Sequence, residues 1–141
     1  MELDPVRMVL DLKTLHRGVN TGSFTVPMKE VAWDIEDVLP ASGKGILELT
    51  VDLEDGAVIC AGILHADFTT PCARCLEPTR FQVVEEIFRE FALTPGTSGE
   101  EREMVPDTGL LDLMEAVREA VILSVPVKPL CSSDCPGIDY I

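Results

Sequence analysis

Hydrophobic and polar side chains alternate most clearly in the stretch Gly45–Thr70. In its first half every second residue is apolar, at Leu47, Leu49, Val51 and Leu53. A period of two is typical of a β-strand with one buried face and one wet face. The sequence therefore predicts that this stretch begins with an amphipathic strand.

A second strand is predicted directly after the first. Asp55-Gly56 is the pair that favours a two-residue type I′ turn, because both central residues of that turn need a positive φ. The more apolar stretch Ala57–Thr70 then returns along the first strand. We expect a β-hairpin in which Cys60, between Ile59 and the other apolar residues of the return strand, packs in the core.

Shorter apolar stretches elsewhere predict further extended structure. Arg7–Leu15 suits a strand that ends near the turn Gly18-Val19-Asn20, and Ser23–Pro27 is a short extended piece. Met28–Pro40 combines helical spacing of apolar residues with residues that favour a loop or a strand, so its secondary structure is left unassigned. Thr79–Leu93 fits both periods, but its content of Phe, Val and Ile favours a long strand or two strand pieces.

One helix is predicted, over Leu110–Ser124, because apolar residues recur there at intervals of three and four. Asp107 or Thr108 is expected to cap its start. Pro126 is expected to end it near Val125, since the residue before a proline is pushed out of the α region.

The two segments that flank this helix read as irregular. Residues 94–109 are rich in Pro, Gly, Ser and acids, which predicts a flexible acidic loop. Residues 126–141 form a tail rich in proline and cysteine. A chain of 141 residues has the length of one ordinary domain, so the expectation is a single α+β domain over residues 1–141. Its sheet is expected to be mainly antiparallel and strongly curved, or a partial barrel, with the helix packed on it.

The charge balance restricts the class of partner. The chain carries 25 acidic against 11 basic side chains, a formal charge of −14. Such a field repels phosphate, so strong direct binding of nucleic acid is not expected, whereas basic proteins would be attracted. The plainer interpretation is a surface that only keeps the protein in solution. The sequence has neither a basic and apolar leader at its start nor an apolar stretch long enough to span a bilayer, so we expect no membrane contact and a cytoplasmic location.

The cysteines are the strongest candidates for chemistry. Cys72 and Cys75 have the two-residue spacing of a metal knuckle, and Cys131 and Cys135 form a second, looser pair in the tail. Two such pairs from distant segments can hold a structural Zn²⁺, and Arg74 lies between the first two to offset the negative charge of the thiolates. We therefore expect the tail to fold back so that the two pairs meet. Free thiols in turns, a redox pair and a disulfide stay open as alternatives.

Catalytic interpretations find less support. A C-x-x-C pair near strands can be a thioredoxin-like redox motif, but Pro78 follows too closely for a helix to continue from Cys75. The two histidines, His16 and His65, lie far apart in the sequence, and no phosphate-binding or nucleophile motif is present. The sequence predicts a protein that is not an enzyme.

The order and spacing of the motifs nonetheless resemble those of a known protein family. The central motif is Cys72-Ala-Arg-Cys75-Leu-Glu-Pro, and the order of knuckle, long strand, acidic loop, helix and Pro-x-x-Pro-Leu-Cys follows it. These features resemble the YceD-like family, also called large ribosomal RNA subunit accumulation protein, over nearly the whole chain. The residues that carry the resemblance around the cysteines are Arg74, Leu76, Glu77, Pro78, Pro126, Pro129 and Gly137.

The resemblance implies a non-catalytic factor of bacteria or plastids that supports production, processing or stability of large-subunit (23S) ribosomal RNA. Together with the charge, it makes basic ribosomal or ribosome-assembly proteins the expected partners. Members often continue with further cysteines in a Gly-Leu-Cys-Pro run, whereas Ile138 follows Gly137 here. Zinc binding and simple packing of Cys131 and Cys135 therefore both stay open, as do a generic protein-binding module with a zinc knuckle and, more distantly, a thiol oxidoreductase that uses Cys72 and Cys75.

Overall fold

The computed structural model describes residues 1–41, 43–93 and 103–137. The fold is α+β, as the sequence predicts, with a mostly antiparallel and strongly curled half-barrel sheet and one longer helix near the C-terminal end. In chain order the described elements are β1 (Val9–Asp11), a 3-10 turn (Leu12–Thr14), β2 (Gly18–Val26), α1 (Met28–Val31), β3 (Leu39–Pro40), β4 (Gly45–Leu53), β5 (Ala57–Pro71), β6 (Pro78–Ala92), β7 (Leu110–Asp112) and α2 (Met114–Ser124).

The main sheet is built around β5. Its 15 residues pair along their whole length with β6, from Ala57 opposite Ala92 to Pro71 opposite Pro78. On the other side β5 pairs with β4 near its start and with the short β3 near its end. The strand β2 completes the sheet next to β4, and all of these pairings are antiparallel.

The hairpin of β4 and β5 confirms the prediction from alternation, and Cys60 is buried as expected. The predicted type I′ turn is wrong, because neither Asp55 nor Gly56 adopts a positive φ. The last cross-strand pair is Leu53 with Val58, and the Glu54 N–H donates to the Ala57 carbonyl at 2.9 Å. This hydrogen bond continues the pairing one step beyond Leu53 and Val58, so Asp55 and Gly56 form the turn without the positive φ that type I′ requires.

A period of two continues along β5 beyond the hairpin. Even-numbered side chains face the core, including Val58, Leu64 and Phe68, while the odd-numbered ones are more exposed. The same alternation leads to Thr70 and then to Cys72, both of which are buried. The core thus extends to the end of the strand where the first cysteine pair begins.

The strands near the N-terminus differ from the predicted ones. A strand is present within Arg7–Leu15, but it is only the three residues of β1, and a 3-10 turn follows it. Gly18-Val19-Asn20 does not end a strand: it begins β2, which also contains most of the predicted short piece Ser23–Pro27. The buried Asn20 amide donates to the Val51 carbonyl at 3.3 Å, so the residue that favours a turn by composition is used inside the sheet. The open segment Met28–Pro40 contains α1 and β3.

The predicted helix begins too early. Leu110–Asp112 is a strand, β7, which pairs with β1, and α2 begins at Met114. Leu10 and Leu111 face each other in this small sheet and are fully buried, so pairing with a distant strand overrides the local helical spacing. The cap is also different from the predicted one, since the Asp112 carboxylate accepts a hydrogen bond from the Met114 N–H at 2.9 Å.

The end of α2 and the tail follow the prediction. Val125 is extended, with a ψ of 125°, directly before Pro126. The described tail residues 125–137 contain neither a helix nor a strand. In the predicted acidic loop, residues 94–102 lie outside the described residues, and Met104 forms a parallel bridge with Ala92. No helix among the described residues is long and apolar enough to cross a membrane.

Candidate metal centre

The first cysteine pair sits in the loop that joins β5 to β6. The Cys72 N–H donates to the Glu77 carbonyl at 2.8 Å, and the Leu76 N–H donates to the Cys72 carbonyl at 3.0 Å. These two bonds close a tight loop after the last cross-strand pair, Pro71 with Pro78. Leu76 is held at a φ of 65°, the left-handed region that a non-glycine residue seldom adopts. The loop points the Cys72 and Cys75 sulfurs toward one place.

The tail returns to this loop and is held there by its backbone. The Ala73 N–H donates to the Pro129 carbonyl at 2.7 Å, which brings the second cysteine pair alongside the first. The Cys131 N–H then donates to the Cys72 sulfur at 3.4 Å. The tail therefore folds back onto the sheet as the sequence analysis expects.

All four sulfurs meet in one cluster, within 4.8 Å of one another. The Cys72 sulfur lies 3.7 Å from that of Cys135, and the Cys75 sulfur lies 3.6 Å from that of Cys131. Neither distance is a disulfide bond, which would be about 2.0 Å. A tetrahedral Zn²⁺ with four sulfurs at about 2.3 Å places those sulfurs about 3.8 Å apart. The cluster thus has dimensions compatible with a metal site.

The environments of the thiols differ across the cluster. The N–H groups of Cys75 and then of Cys131 donate to the Cys72 sulfur and hold the pKa of its thiol at about 6. Contacts with the side chains of Cys135 and then Cys75 raise the pKa of Cys131 to about 12. The pKa of the Cys72 thiol is thus lowered and that of the Cys131 thiol is raised within the same cluster. A cation at the centre would favour the thiolate form of each ligand and release protons on binding.

Arg74 and Gly137 hold the end of the tail. The Arg74 guanidinium donates to the Cys135 carbonyl at 2.9 Å, so this cation lies next to the cluster. Gly137 has a φ of 89°, and a Cβ atom at that position would lie 3.5 Å from the Arg74 carbonyl oxygen. A glycine suits this position because it accepts the left-handed backbone so close to the loop.

The other residues of the sequence motif have separate positions. The backbone carbonyls of Glu77 and Pro129 accept hydrogen bonds from the N–H groups of Cys72 and Ala73. Pro126 lies just beyond the end of α2, away from the sulfurs in sequence but at the start of the tail. Leu76 and Pro78 instead line a groove beside the cluster.

The groove contains residues that sequence reasoning missed. Trp33 and Leu39, from the segment left open, contribute exposed apolar side chains to it. The available signal was a tryptophan and a leucine among acidic residues in a stretch without a regular period. Without a regular period the sequence does not indicate which of these side chains are exposed, so the exposure of Trp33 and Leu39 follows only from the fold.

The redox alternative requires a different local structure. In a thioredoxin-like site a helix begins at the cysteine pair and lowers the pKa of the first thiol. Here residues 73–75 form a turn, and the chain enters β6 at Pro78. The low pKa of Cys72 comes instead from the N–H groups of the loop and of the tail.

Part of the chain matches a known protein family. Residues 60–140 match the family described as "Large ribosomal RNA subunit accumulation protein YceD". The chain belongs to the YceD family. The matched region includes both cysteine pairs, β6 and α2, but not β1 to β4, so it is shorter than the nearly full-length resemblance expected from the motifs. The family description names accumulation of an RNA and no chemical reaction, and no catalytic family is indicated.

Individual relatives in the curated proteins are distant and uncharacterized. An uncharacterized protein of Mycobacterium tuberculosis is 33% identical over 98 residues, which are 65% of this chain and 46% of that protein. An uncharacterized protein of Mycobacterium leprae is 31% identical over 96 residues, 65% of this chain and 44% of that protein. The YceD chain thus spans about half the length of the curated relatives it matches. No solved structure matches it.

Proposed function

We propose that this YceD chain is a non-catalytic accessory factor that supports synthesis, processing or stability of the large-subunit (23S) ribosomal RNA. The family match over residues 60–140 is the observation that carries this proposal. The chain acts through contacts with basic ribosomal or assembly proteins, because its formal charge of −14 opposes direct binding to a phosphate backbone.

The four cysteines contribute by holding a structural Zn²⁺. Two distances between sulfurs, 3.6 and 3.7 Å, support this role because they are close to those of a tetrahedral zinc site. Bound zinc would fix the tail, which contains neither a helix nor a strand over residues 125–137, against the loop between β5 and β6. In this role the metal is structural, because all four of its ligand positions are taken by the protein.

The experiment is a deletion of the gene in the host organism, complemented with the wild-type chain or with Cys72→Ser. The ratio of 23S to 16S ribosomal RNA and the co-sedimentation of the chain with precursor large subunits are measured in each strain. We expect the deletion to lower the ratio, the wild-type chain to restore it and to sediment with the precursors, and Cys72→Ser to restore it poorly. Cys60→Ala is the matched control, because Cys60 lies in the core outside the cluster.

A normal 23S to 16S ratio in the deletion strain would remove the proposal. It would leave the chain as a protein-binding module with a cysteine cluster. If the ratio falls but Cys72→Ser restores it fully, the role in ribosomal RNA stands and the contribution of the metal is removed.

A further inference from the structure

A groove of about 860 Å³ lies beside the cysteine cluster. One wall comes from the segment that leads from α1 into β3 and includes Trp33 and Leu39. The other comes from the loop after β5 and the start of β6 and includes Leu76 and Pro78. Trp33, Leu39 and Leu76 are exposed by 73%, 67% and 63%. Large apolar side chains grouped at this level of exposure are typical of an interaction surface rather than of a random surface.

The first wall is fixed to the rest of the fold. The Arg118 guanidinium of α2 donates to the carbonyls of Val31 and Trp33, at 3.2 and 2.6 Å, and to the carboxylate of Asp34. At the other end of this wall, Leu39 pairs with Thr69 of β5. The groove is therefore largely formed before any partner arrives, which lowers the entropy lost on binding.

The second wall depends on an unfavourable backbone conformation. A leucine at a φ of 65° costs about 1 to 3 kcal/mol relative to an ordinary conformation. Glycine would adopt the same loop without that cost. Leu76 nevertheless occupies the position, and its side chain is exposed on the groove instead of packing in the core. This arrangement has a physical reason if the side chain contacts something outside the chain.

The charges around the groove select the sign of a partner. Asp34 and Asp37 line it. Asp34 is already paired with Arg118, so the negative charge offered to a partner comes from Asp37 and from the nearby exposed Glu30 of α1, Glu36 and Glu77. Among the lining residues the structure describes, Lys29 is the basic one. An apolar groove with an acidic rim is complementary to a basic segment that presents an apolar side chain.

We propose that the groove binds a basic segment of a partner protein, with an apolar side chain of that segment inserted between Trp33, Leu39 and Leu76. This inference rests on the proposed function, for which it names the partner surface and the chemistry of the partner. The cysteine cluster contributes indirectly, because the loop that holds Cys72 and Cys75 also sets the position of Leu76.

The test begins with an array of 15-residue peptides that tile the large-subunit ribosomal proteins of the host. Each peptide is accompanied by two counterparts, one with Lys and Arg changed to Glu and one with its apolar residues changed to Ser. The strongest binders without tryptophan are then titrated in solution against the full chain. Trp33 is the one tryptophan of the sequence, so its fluorescence reports directly on the groove.

We expect a basic peptide to shift the Trp33 emission to the blue and to protect it from acrylamide, and both counterparts to fail. Leu76→Gly should weaken binding at least about tenfold, the effect of removing an apolar anchor. It should leave the fold intact, because it relieves the backbone conformation. Leu123→Ala is the matched control, a leucine of 77% exposure on α2 outside the groove, and it should bind as the wild-type chain does. Asp37→Asn should also weaken binding, and more so at low salt, where the rim charges are screened least.

Binding that is equal in Leu76→Gly and Leu123→Ala would overturn the proposal. Binding by the Glu-substituted peptides, or a larger Trp33 response to a single-stranded RNA oligonucleotide than to any peptide, would overturn it as well. The outcome is separable from that of the proposed function. If Leu76→Gly fully restores 23S ribosomal RNA in the deletion strain, the role of the groove is refuted and the proposed function stands. If the peptides bind but deletion of the gene has no effect on ribosomal RNA, the proposed function is refuted and the groove stands as a binding site.

Discussion

The sheet core and the C-terminal tail are stabilised by different means. In the core, even-numbered side chains of β5 such as Leu64 and Phe68 are fully buried within one continuous hydrophobic cluster. In the tail, residues 126–137 are mostly exposed, and Cys135 is the buried residue. A few hydrogen bonds and four sulfurs hold the tail where the core has continuous apolar packing.

This difference predicts that the two regions respond independently to perturbation. Burial of apolar surface stabilises the sheet without any ligand. The tail buries too little apolar surface to offset the entropy of its ordered backbone, so a metal ion is expected to supply much of its stability. A change that loosens both regions together would show that they are not independent.

The largest effect is expected from Cys72→Ser. This change removes one ligand from the cluster, so the metal content should fall from about one zinc per chain to below about 0.3. Hydrogen exchange should become fast in residues 126–137 and stay slow in β5 and β6. Metal analysis of protein purified without a histidine tag and exchange mass spectrometry provide the two measurements. Wild-type protein that carries no zinc, or retention of zinc by the variant, would contradict the prediction, and Cys60→Ala should keep the metal.

The next effect concerns the core alone. Phe68→Ala removes a fully buried ring that stacks on Phe81 with 6.1 Å between the ring centroids, and it should lower the free energy of unfolding by about 3 to 5 kcal/mol. Zinc content per folded chain should not change. Phe88→Ala on β6 is the matched control, because that ring is 58% exposed and its loss should cost well under half as much. Urea unfolding followed by circular dichroism gives both values, and equal losses would show that burial is not what stabilises the sheet.

A smaller effect is expected at the contact between the regions. Arg74→Ala removes the hydrogen bond to the Cys135 carbonyl, and loss of such support for a ligand lowers metal affinity about 10- to 100-fold. Competition with a chromogenic chelator measures the change. Arg17→Ala, which removes an exposed ion pair with Asp55 at the other end of the sheet, should leave the affinity unaltered. An equal change in both variants would mean that overall charge, not the local contact, sets the affinity.

The smallest expected effect concerns Cys60, which should not react with thiol reagents while the protein is folded. Burial raises the pKa of this thiol to about 11, so at pH 8 it remains protonated as well as enclosed. A chelator should make the thiols of the cluster reactive toward a disulfide reagent, while Cys60 reacts only after addition of denaturant. Mass spectrometry of the labelled peptides distinguishes the sites. Labelling of Cys60 at the rate of the other thiols would show that the core opens when the metal leaves.

The sequence predicts the parts of this molecule that depend on neighbouring residues. The alternation at Leu47, Leu49 and Val51 is a local pattern, and the hairpin follows from it directly. The spacing of Cys72 and Cys75 is local too, and the proximity of the second pair could be inferred because zinc chemistry commonly joins two pairs.

The predictions that failed depend on distant parts of the chain. Leu110–Asp112 has helical spacing, but Leu111 is buried against Leu10 about a hundred positions earlier, so the segment becomes a strand. The groove was missed for the same reason, because Trp33 and Leu76 lie far apart in sequence. The turn at Asp55-Gly56 failed differently, since the pair is compatible with more than one backbone conformation.

The uninterrupted alternation of β5 has an evolutionary consequence. Val58 and Cys72 lie on one face of the strand because an even number of positions separates them. A single inserted or deleted codon within β5 would turn either the core residues or Cys72 outward, whereas a change of two would preserve both. Homologues should therefore differ in the length of this strand by even steps, and an odd step should occur only together with a bulge or with loss of the cysteines.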